Sequence, residues 1–404
     1  MSFNSIKQCG GKCAALYREK ILSHAIHTSI RTYAILYFSG VCITLSLPPY
    51  FLLPLLPLGL STLLLFIRTA TSHKQRFLRG WWFGFGFFTT SIYWFAYALL
   101  VDAQQYGWLI PFAIGGIGGI LALFYGISML ACGTRFMTRT PSRQLVWFAL
   151  CLFAADWARG NLFSGFPWNL IGYTWTVTTT TIQLGAFFGI YVLTGLTIIV
   201  MTTPALLFIP IQNEIDAYSR KKFIRFVVIS VFILASASIV RIATAPLHYD
   251  NTIKLRLVQG NIPQSLKWDP QGRLEGIRAY TALSMTEGHD SRTHIIWPES
   301  AMTYAFDSQD YWAKELSSIV PEKGLLLTGT IRKETYSDTD FSIFNSLQGL
   351  DSHANVVLHY NKRHLVPFGE YVPLRNILPV GKITHGTIDF SSGAMEQPIN
   401  TPSL

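Results

Sequence analysis

Apolar runs long enough to cross a bilayer recur through the first 245 residues and then stop. That pattern limits the fold more tightly than any motif. A helical span takes about 20 predominantly apolar residues. Runs that reach or approach this length stand at Thr32–Leu47, Phe51–Ile67, Trp81–Val101, Trp108–Cys132, Leu145–Trp157, Ile182–Ile209 and Phe226–Ala245. Only 13% of the residues are charged, against about a quarter in a soluble globular protein. The expected architecture is a multi-span α-helical membrane bundle of about seven spans over 32–245, preceded by a basic leader at 1–31. Lys7, Lys12, Arg18, Lys20 and Arg31 precede the first run, which leads directly into a second, so that run reads as an uncleaved signal-anchor.

The basic residues orient the bundle. With the N-terminus inside, the inner loops carry Arg68, Lys74, Arg76 and Arg79, then Arg135, Arg139 and Arg143, then Arg220, Lys221, Lys222 and Arg225. The opposite loops carry Pro48–Pro49, Asp102–Gln105 and a longer segment whose only basic residue is Arg159. This is the positive-inside pattern, and an odd number of spans puts everything after about residue 246 outside the cytoplasm. The formal charge of +10 therefore points to membrane orientation, not to nucleic acid. Cysteine use excludes a disulfide framework. Cys42, Cys132 and Cys151 lie in apolar runs, Cys9 and Cys13 have no matching Cys or His cluster, and none follows Cys151. No metal and no cofactor is expected.

Two features of this half invite more than one reading. The segment Asp156-Trp157 through Phe163-Ser164-Gly165-Phe166-Pro167-Trp168-Asn169 suits an interfacial aromatic belt or a lipid-binding surface. Asp156 and Arg159 at a span end are costly unless paired or hydrated. The run Gly115-Gly116-Ile117-Gly118-Gly119 is expected to allow close helix packing.

Around Pro246 the pattern changes to short strands at Ile253–Gln259, His294–Trp297, Gly324–Ile331, Asn345–Leu350 and Asn355–Tyr360, with a helix over Gly272–Glu287. An α/β or α-β-β-α layered domain over 246–404 follows. In Trp297-Pro298-Glu299-Ser300 a proline ends the strand. Glu299 at its carboxyl end is either a surface residue or a general base in surroundings apolar enough to raise its pKa. In Tyr360-Asn361-Lys362-Arg363-His364 and the following Val366-Pro367-Phe368-Gly369-Glu370-Tyr371-Val372-Pro373, Lys362 can offer an ammonium to an oxyanion, with Glu370 orienting it. The alternative is a basic patch facing anionic headgroups.

Together with Val258-Gln259-Gly260-Asn261-Ile262-Pro263-Gln264-Ser265-Leu266-Lys267-Trp268 and Gly165-Phe166-Pro167-Trp168, these stretches resemble the apolipoprotein N-acyltransferases of the nitrilase superfamily. The resemblance runs from about Arg79 to about Gly393. It implies a periplasmic nitrilase-like domain on the bacterial inner membrane. It also implies acyl transfer from a phospholipid, such as phosphatidylethanolamine, to the N-terminal cysteine amine of a diacylated apolipoprotein through a cysteine thioester. By position, Glu299 resembles the general base, Lys362 the oxyanion stabiliser and Glu370 a further essential carboxylate. Trp268, Trp297, Pro298, Tyr360 and Asn345 fall on substrate-binding positions. The family's nucleophile, a cysteine followed by Tyr-Glu, lies beyond the segment resembling Asp389–Gly393. The chain ends at Leu404 without it, so the domain is expected to be incomplete and the chain inactive. Ser300 and Ser391 have no base in the sequence pattern to pair with. Two other readings compete: a non-catalytic membrane protein keeping a lipid- or lipoprotein-binding surface, and a transporter with an accessory outer domain.

Overall fold

A computed structural model describes residues 29–100, 103–133, 140–245, 249–263, 266–337, 340–367, 369–372 and 388–394. Of the residues singled out above, the leader through residue 28, Asp102, Arg135, Arg139, Gln264, Ser265, Phe368 and Pro373 lie outside these. The chain divides into two units, Met1–Pro246 and Leu247–Leu404.

The first unit is helical. Its helices are α1 (29–46), α2 (Leu55–Arg68), α3 (His73–Ser91), α4 (Phe95–Leu100), α5 (Ala103–Tyr106), α6 (Ile110–Ala131), α7 (Pro141–Asn161), α8 (Leu184–Thr202) and α9 (Glu214–Thr244). Among the described residues, three stretches are long and apolar enough to cross a membrane by length and composition: Gly107–Ala131, Thr181–Leu207 and Glu214–Thr244. Side-chain caps set two of the starts. The Ser72 hydroxyl accepts from the Gln75 amide at α3, and the Asn213 carbonyl oxygen accepts from the Asp216 amide at α9. The run expected as Trp81–Val101 is divided, because α3 ends at Ser91 and α4 resumes at Phe95. The Thr89, Thr90 and Ser91 hydroxyls donate back to the carbonyls of Phe85, Gly86 and Phe88, a habit that loosens a helix. In α8, Gly189 adopts φ 69°, which kinks the helix in a conformation that suits glycine.

Close approach of helices rests on particular glycines. A Cβ at Gly86 would lie 2.0 Å from the Tyr37 carbonyl oxygen of α1, and one at Gly40 2.0 Å from that of Phe83. In the glycine run of α6 only one side packs. A Cβ at Gly118 would meet Thr89 of α3 at 2.7 Å, while those at Gly115 and Gly116 would meet nothing. Three residues along a helix return to roughly the same face, and here Gly118, Leu121, Ala122 and Tyr125 form the buried stripe. The Gly118→Leu change is therefore expected to cost about 1–3 kcal/mol by overpacking. Gly115→Leu is expected to stay within about 0.5 kcal/mol. Unfolding midpoints in detergent would check the pair, and equal losses would contradict this packing.

Asp156 and Arg159 of α7 are 0% and 1% exposed. Their charges are paired, with Arg159 Nη2 donating to Asp156 Oδ1 at 3.0 Å and the Tyr125 hydroxyl donating to the same oxygen at 3.1 Å. Arg159 Nη1 donates to the carbonyls of Phe166 and Trp168 at 2.5 and 2.7 Å, and the guanidinium lies 5.1 Å from the Phe88 ring centre. The charge pair thus ties the aromatic loop after α7 to the bundle. Phe163, at the tip of that loop, is 94% exposed.

The second unit is built on one five-stranded mixed sheet in the order β1 (Leu255–Leu257), β2 (His294–Ile296), β3 (Leu325–Thr335), β4 (Phe341–Leu350), β5 (Val356–Asn361). The first three strands run parallel, with helices α10 (Pro270–Ser284) and α11 (Tyr311–Ser317) in the connections, and β3, β4 and β5 pair antiparallel. Parallel neighbours require such crossovers, whereas the β3–β4 hairpin needs only a tight turn. Val258, Ile277, Tyr280, Ile295, Trp297 and Leu326 are among the residues of its core.

Candidate active site

Glu299 stands just beyond the carboxyl end of β2, where the chain turns through Ser300 at φ 51°. A left-handed non-glycine residue is uncommon and costs backbone energy. The turn packs directly over β3 at Gly329, where a Cβ would lie 2.6 Å from Glu299 Cα. Only the absence of a side chain on β3 leaves room there, a requirement invisible before β2 and β3 are paired.

Lys362 follows β5, and its amide donates to the Asn345 carbonyl of β4 at 2.8 Å. The β4–β5 register, Ser346 opposite Asn361, brings Lys362 beside Asn345. Glu370 belongs to the turn after Pro367. Its Oε2 accepts from the Val366 amide at 2.7 Å, and its own amide donates to the Val366 carbonyl at 2.9 Å. The segment 390–393 straps this corner, with the Phe390 amide donating to Glu370, Ser391 to Ile343 and Gly393 to Lys362.

These residues close a ring. Asn345 Nδ2 donates to Glu299 Oε1 at 2.6 Å and to Glu370 Oε1 at 2.7 Å. Lys362 Nζ donates to the same two oxygens at 3.3 and 3.0 Å. The two carboxylates differ in setting. Glu370 is buried, while the Glu299 side chain is 64% exposed, so of the two settings that the sequence left open for Glu299 it has the surface one. Pro298 ends the strand and directs the carboxylate outward. Glu299 Oε2 has no partner among the described residues, which leaves a lone pair free to take a proton.

Burial pushes the Glu370 carboxyl upward. The Asn345 amide, the Val366 N–H and Lys362 outweigh it and hold the group below the ordinary glutamate value. Burial likewise pulls the Lys362 ammonium down, yet hydrogen bonds and charge from Glu370 and Glu299 leave it above the ordinary lysine value. The signs follow from linkage. The Glu370 contribution is complete above about pH 4.3 and is lost as pH falls through its lowered folded value. That of Lys362 is complete below about pH 10.4 and is lost as pH rises through its raised one. The Val366–Glu370 turn is therefore expected to loosen only in acid well below about pH 4 and in alkali above about pH 10. Hydrogen exchange at the Val366 amide, corrected for intrinsic rates, would report this. Loss of protection already near neutral pH would contradict it.

The remaining sequence-selected residues are spread. Pro298 lines a polar cavity next to Glu299. Trp297 is 2% exposed, stacks on Tyr280 at 5.1 Å and donates from its indole nitrogen to Ser284 Oγ at 2.9 Å. It is core, not cavity wall, because strand alternation turns it to the opposite face from its neighbours. Tyr360 sits on β5 opposite Leu347, outside that cavity. Trp268 stacks on Arg273, a residue the sequence reading passed over. Its five-residue spacing from Trp268 carries no signal until the cap of α10 is in place.

Apolar helices in one unit and a carboxylate–lysine–carboxylate cluster in the other define a class: proteins with helices suited to a bilayer and a charged, hydrogen-bonded cluster on a mixed sheet. The family model for the apolipoprotein N-acyltransferase N-terminal domain matches residues 39–203. The apolipoprotein N-acyltransferase of Rickettsia prowazekii is 30% identical over 354 residues, 88% of this chain and 69% of the relative. That of Caulobacter vibrioides is 32% identical over 92% of this chain and 71% of the relative, and that of Rhodopseudomonas palustris 28% over 90% and 70%. The chain belongs to the apolipoprotein N-acyltransferase family, and by family it is an acyltransferase.

Proposed function

We propose that the second unit is a nitrilase-like domain, facing the periplasm from a multi-span bundle in the bacterial inner membrane. There it serves transfer of an acyl chain from a phospholipid to the N-terminal cysteine amine of a diacylated apolipoprotein. What carries the reading is the ring of Glu299, Asn345, Lys362 and Glu370, in which one exposed carboxylate and one ammonium share partners. Glu299 Oε2 takes the proton of an attacking thiol and later that of the acceptor amine. The Lys362 ammonium stabilises the oxyanion of each tetrahedral intermediate. Asn345 and Glu370 act through these two, fixing their distance and orientation. In the first step the thiolate attacks the ester carbonyl, an S–C bond forms and the lysophospholipid alkoxide leaves with a proton. In the second the amine displaces the thiolate.

Residues 152–404 contain no cysteine, so they supply no thiol to this scheme. A polypeptide of residues 1–404 assayed alone is expected to form no hydroxylamine-sensitive acyl-enzyme, while keeping the surface that meets the lipid and the lipoprotein. The test is transfer of labelled palmitate from phospholipid to a diacylated lipopeptide, measured for residues 1–404 alone and in membranes of cells carrying the gene. Transfer by residues 1–404 alone would overturn the thiol scheme. Absence of transfer in both would overturn the function. Reporter fusions after Glu299 test the orientation, and a cytoplasmic signal would sink the periplasmic assignment.

A further inference from the structure

Beside Glu299 lies a cavity of about 290 Å³ whose lining does not include Lys362. Gln259, Asn261, Lys267, Arg273 and Thr303 face it together with Glu299. Its donors lack acceptors. The Arg273 guanidinium is held between the rings of Trp268 and Tyr304, at 5.6 and 5.4 Å. No ion pair reaches it among the described residues, and its Nε is buried without a hydrogen-bond partner. Thr303 is 7% exposed, and its Oγ1 is likewise buried and unpartnered. Among the described residues, Lys267 Nζ meets only the Glu299 backbone carbonyl, at 3.4 Å. Burial holds its ammonium below the ordinary lysine value, against the pull of Glu299, as expected of a cation with too little compensation.

Buried donors left unpaired cost free energy, and two of them, Arg273 Nε and Thr303 Oγ1, facing one cavity beside the weakly held Lys267 ammonium call for an acceptor-rich anion. Charge narrows the choice. Lys267 and Arg273 carry two positive charges against the one carboxylate in the wall, Glu299, so a monoanion balances the site better than a dianion. A planar guanidinium fixed by two rings suits phosphate oxygens. The volume is at the small end of ligand sites and suits a phosphodiester, not an acyl chain.

We propose that Arg273, Lys267 and Thr303 form a phosphodiester pocket that holds the headgroup of a glycerophospholipid beside Glu299, with Trp268 acting by fixing the Arg273 guanidinium. The lipid as source of the phosphodiester rests on the acyl-transfer reading above. The pocket fixes the donor by its phosphate, leaving the ester-bearing glycerol to extend toward Lys362.

The experiment is phosphorus NMR of the purified chain in phosphate-free detergent, titrated into glycerophosphoglycerol or inorganic phosphate. The chain is expected to broaden the diester signal, with inorganic phosphate competing weakly. Arg273→Gln and Lys267→Gln should each weaken diester binding about tenfold, as expected for loss of one charge-assisted contact. Thr303→Val should weaken it less, and Arg332→Gln on β3 should leave it unchanged. Should Arg273→Gln disturb folding, Trp268→Leu and Lys267→Gln carry the test, both weakening the diester. No broadening by the unaltered chain, or unaltered binding in both charge variants, overturns the pocket. Tighter binding of inorganic phosphate than of the diester overturns the headgroup as its ligand. The readout needs no thiol. Diester binding by the chain, with no acyl transfer in membranes of cells carrying the gene, fails the acyl-transfer reading alone, and transfer there without diester binding by the chain fails this one alone.

Discussion

Replacing Arg159 by leucine is expected to destabilise the helical unit by about 3–5 kcal/mol, the scale seen when one partner of a buried ion pair is removed. The change strands the Asp156 carboxylate in the interior, with the Tyr125 hydroxyl as its one remaining partner. It also strips the Phe166 and Trp168 carbonyls of their donor, and buried acceptors without partners cost about 1–3 kcal/mol each. Asp156→Asn is the informative contrast. Its amide oxygen can still accept from Tyr125 and Arg159, so the expected loss is smaller by at least half. Unfolding midpoints in mild detergent, compared for the two variants, measure the difference. A leucine variant as stable as the parent would show that the pair holds nothing in place. Limited proteolysis in the 162–170 loop should rise in Arg159→Leu and not in Asp156→Asn, because the loop carbonyls bind the guanidinium and not the carboxylate.

The Asp156–Arg159 pair also marks how far the sequence could be read. That two charges at a span end needed partners followed from charge chemistry alone. That the partners were each other, a tyrosine from α6 and two loop carbonyls did not, because the last three depend on how helices cross. The division of the third apolar run had a local cause, three consecutive hydroxyl residues bonding back onto α3, but hydropathy sums weigh those residues only as mildly polar. In the sheet, strand positions followed from short apolar runs between polar segments, and the Glu299 and Lys362–Glu370 stretches do converge in space. Their environments were less legible. The sequence left Glu299 either at the surface or in an apolar setting, and alternation along β2 sends Trp297 inward while the turn leaves Glu299 exposed. Gly329 and Arg273 were missed for a shared reason. Each matters through a neighbour on another strand or across a helix cap, which only pairing and packing reveal.

On the proposed acyl-transfer reading, Glu299→Gln is expected to lower N-acyl transfer in membranes of cells carrying the gene about 10²–10⁴-fold, the usual worth of a general base. Stability should stay within about 0.5 kcal/mol, as for other exposed positions, because the amide oxygen that replaces the carboxylate can still accept from Asn345 and Lys362. Glu370→Gln should behave differently. Its carboxylate is buried and binds Asn345, the Val366 amide and Lys362 at once, so the variant loses charge-assisted bonds worth about 1.5–3 kcal/mol each at most. Rate and stability should fall together. Lys362→Met should remove an oxyanion donor, for which about 10²–10³-fold is typical, and should also leave two carboxylates facing each other. That repulsion adds a loss of stability to the loss of rate. Assaying palmitate transfer beside thermal unfolding separates the three. If Glu299→Gln transferred at the parent rate while remaining folded, the exposed carboxylate would not be the base, and the ring around Asn345 would be a brace for the β4–β5 corner and nothing more.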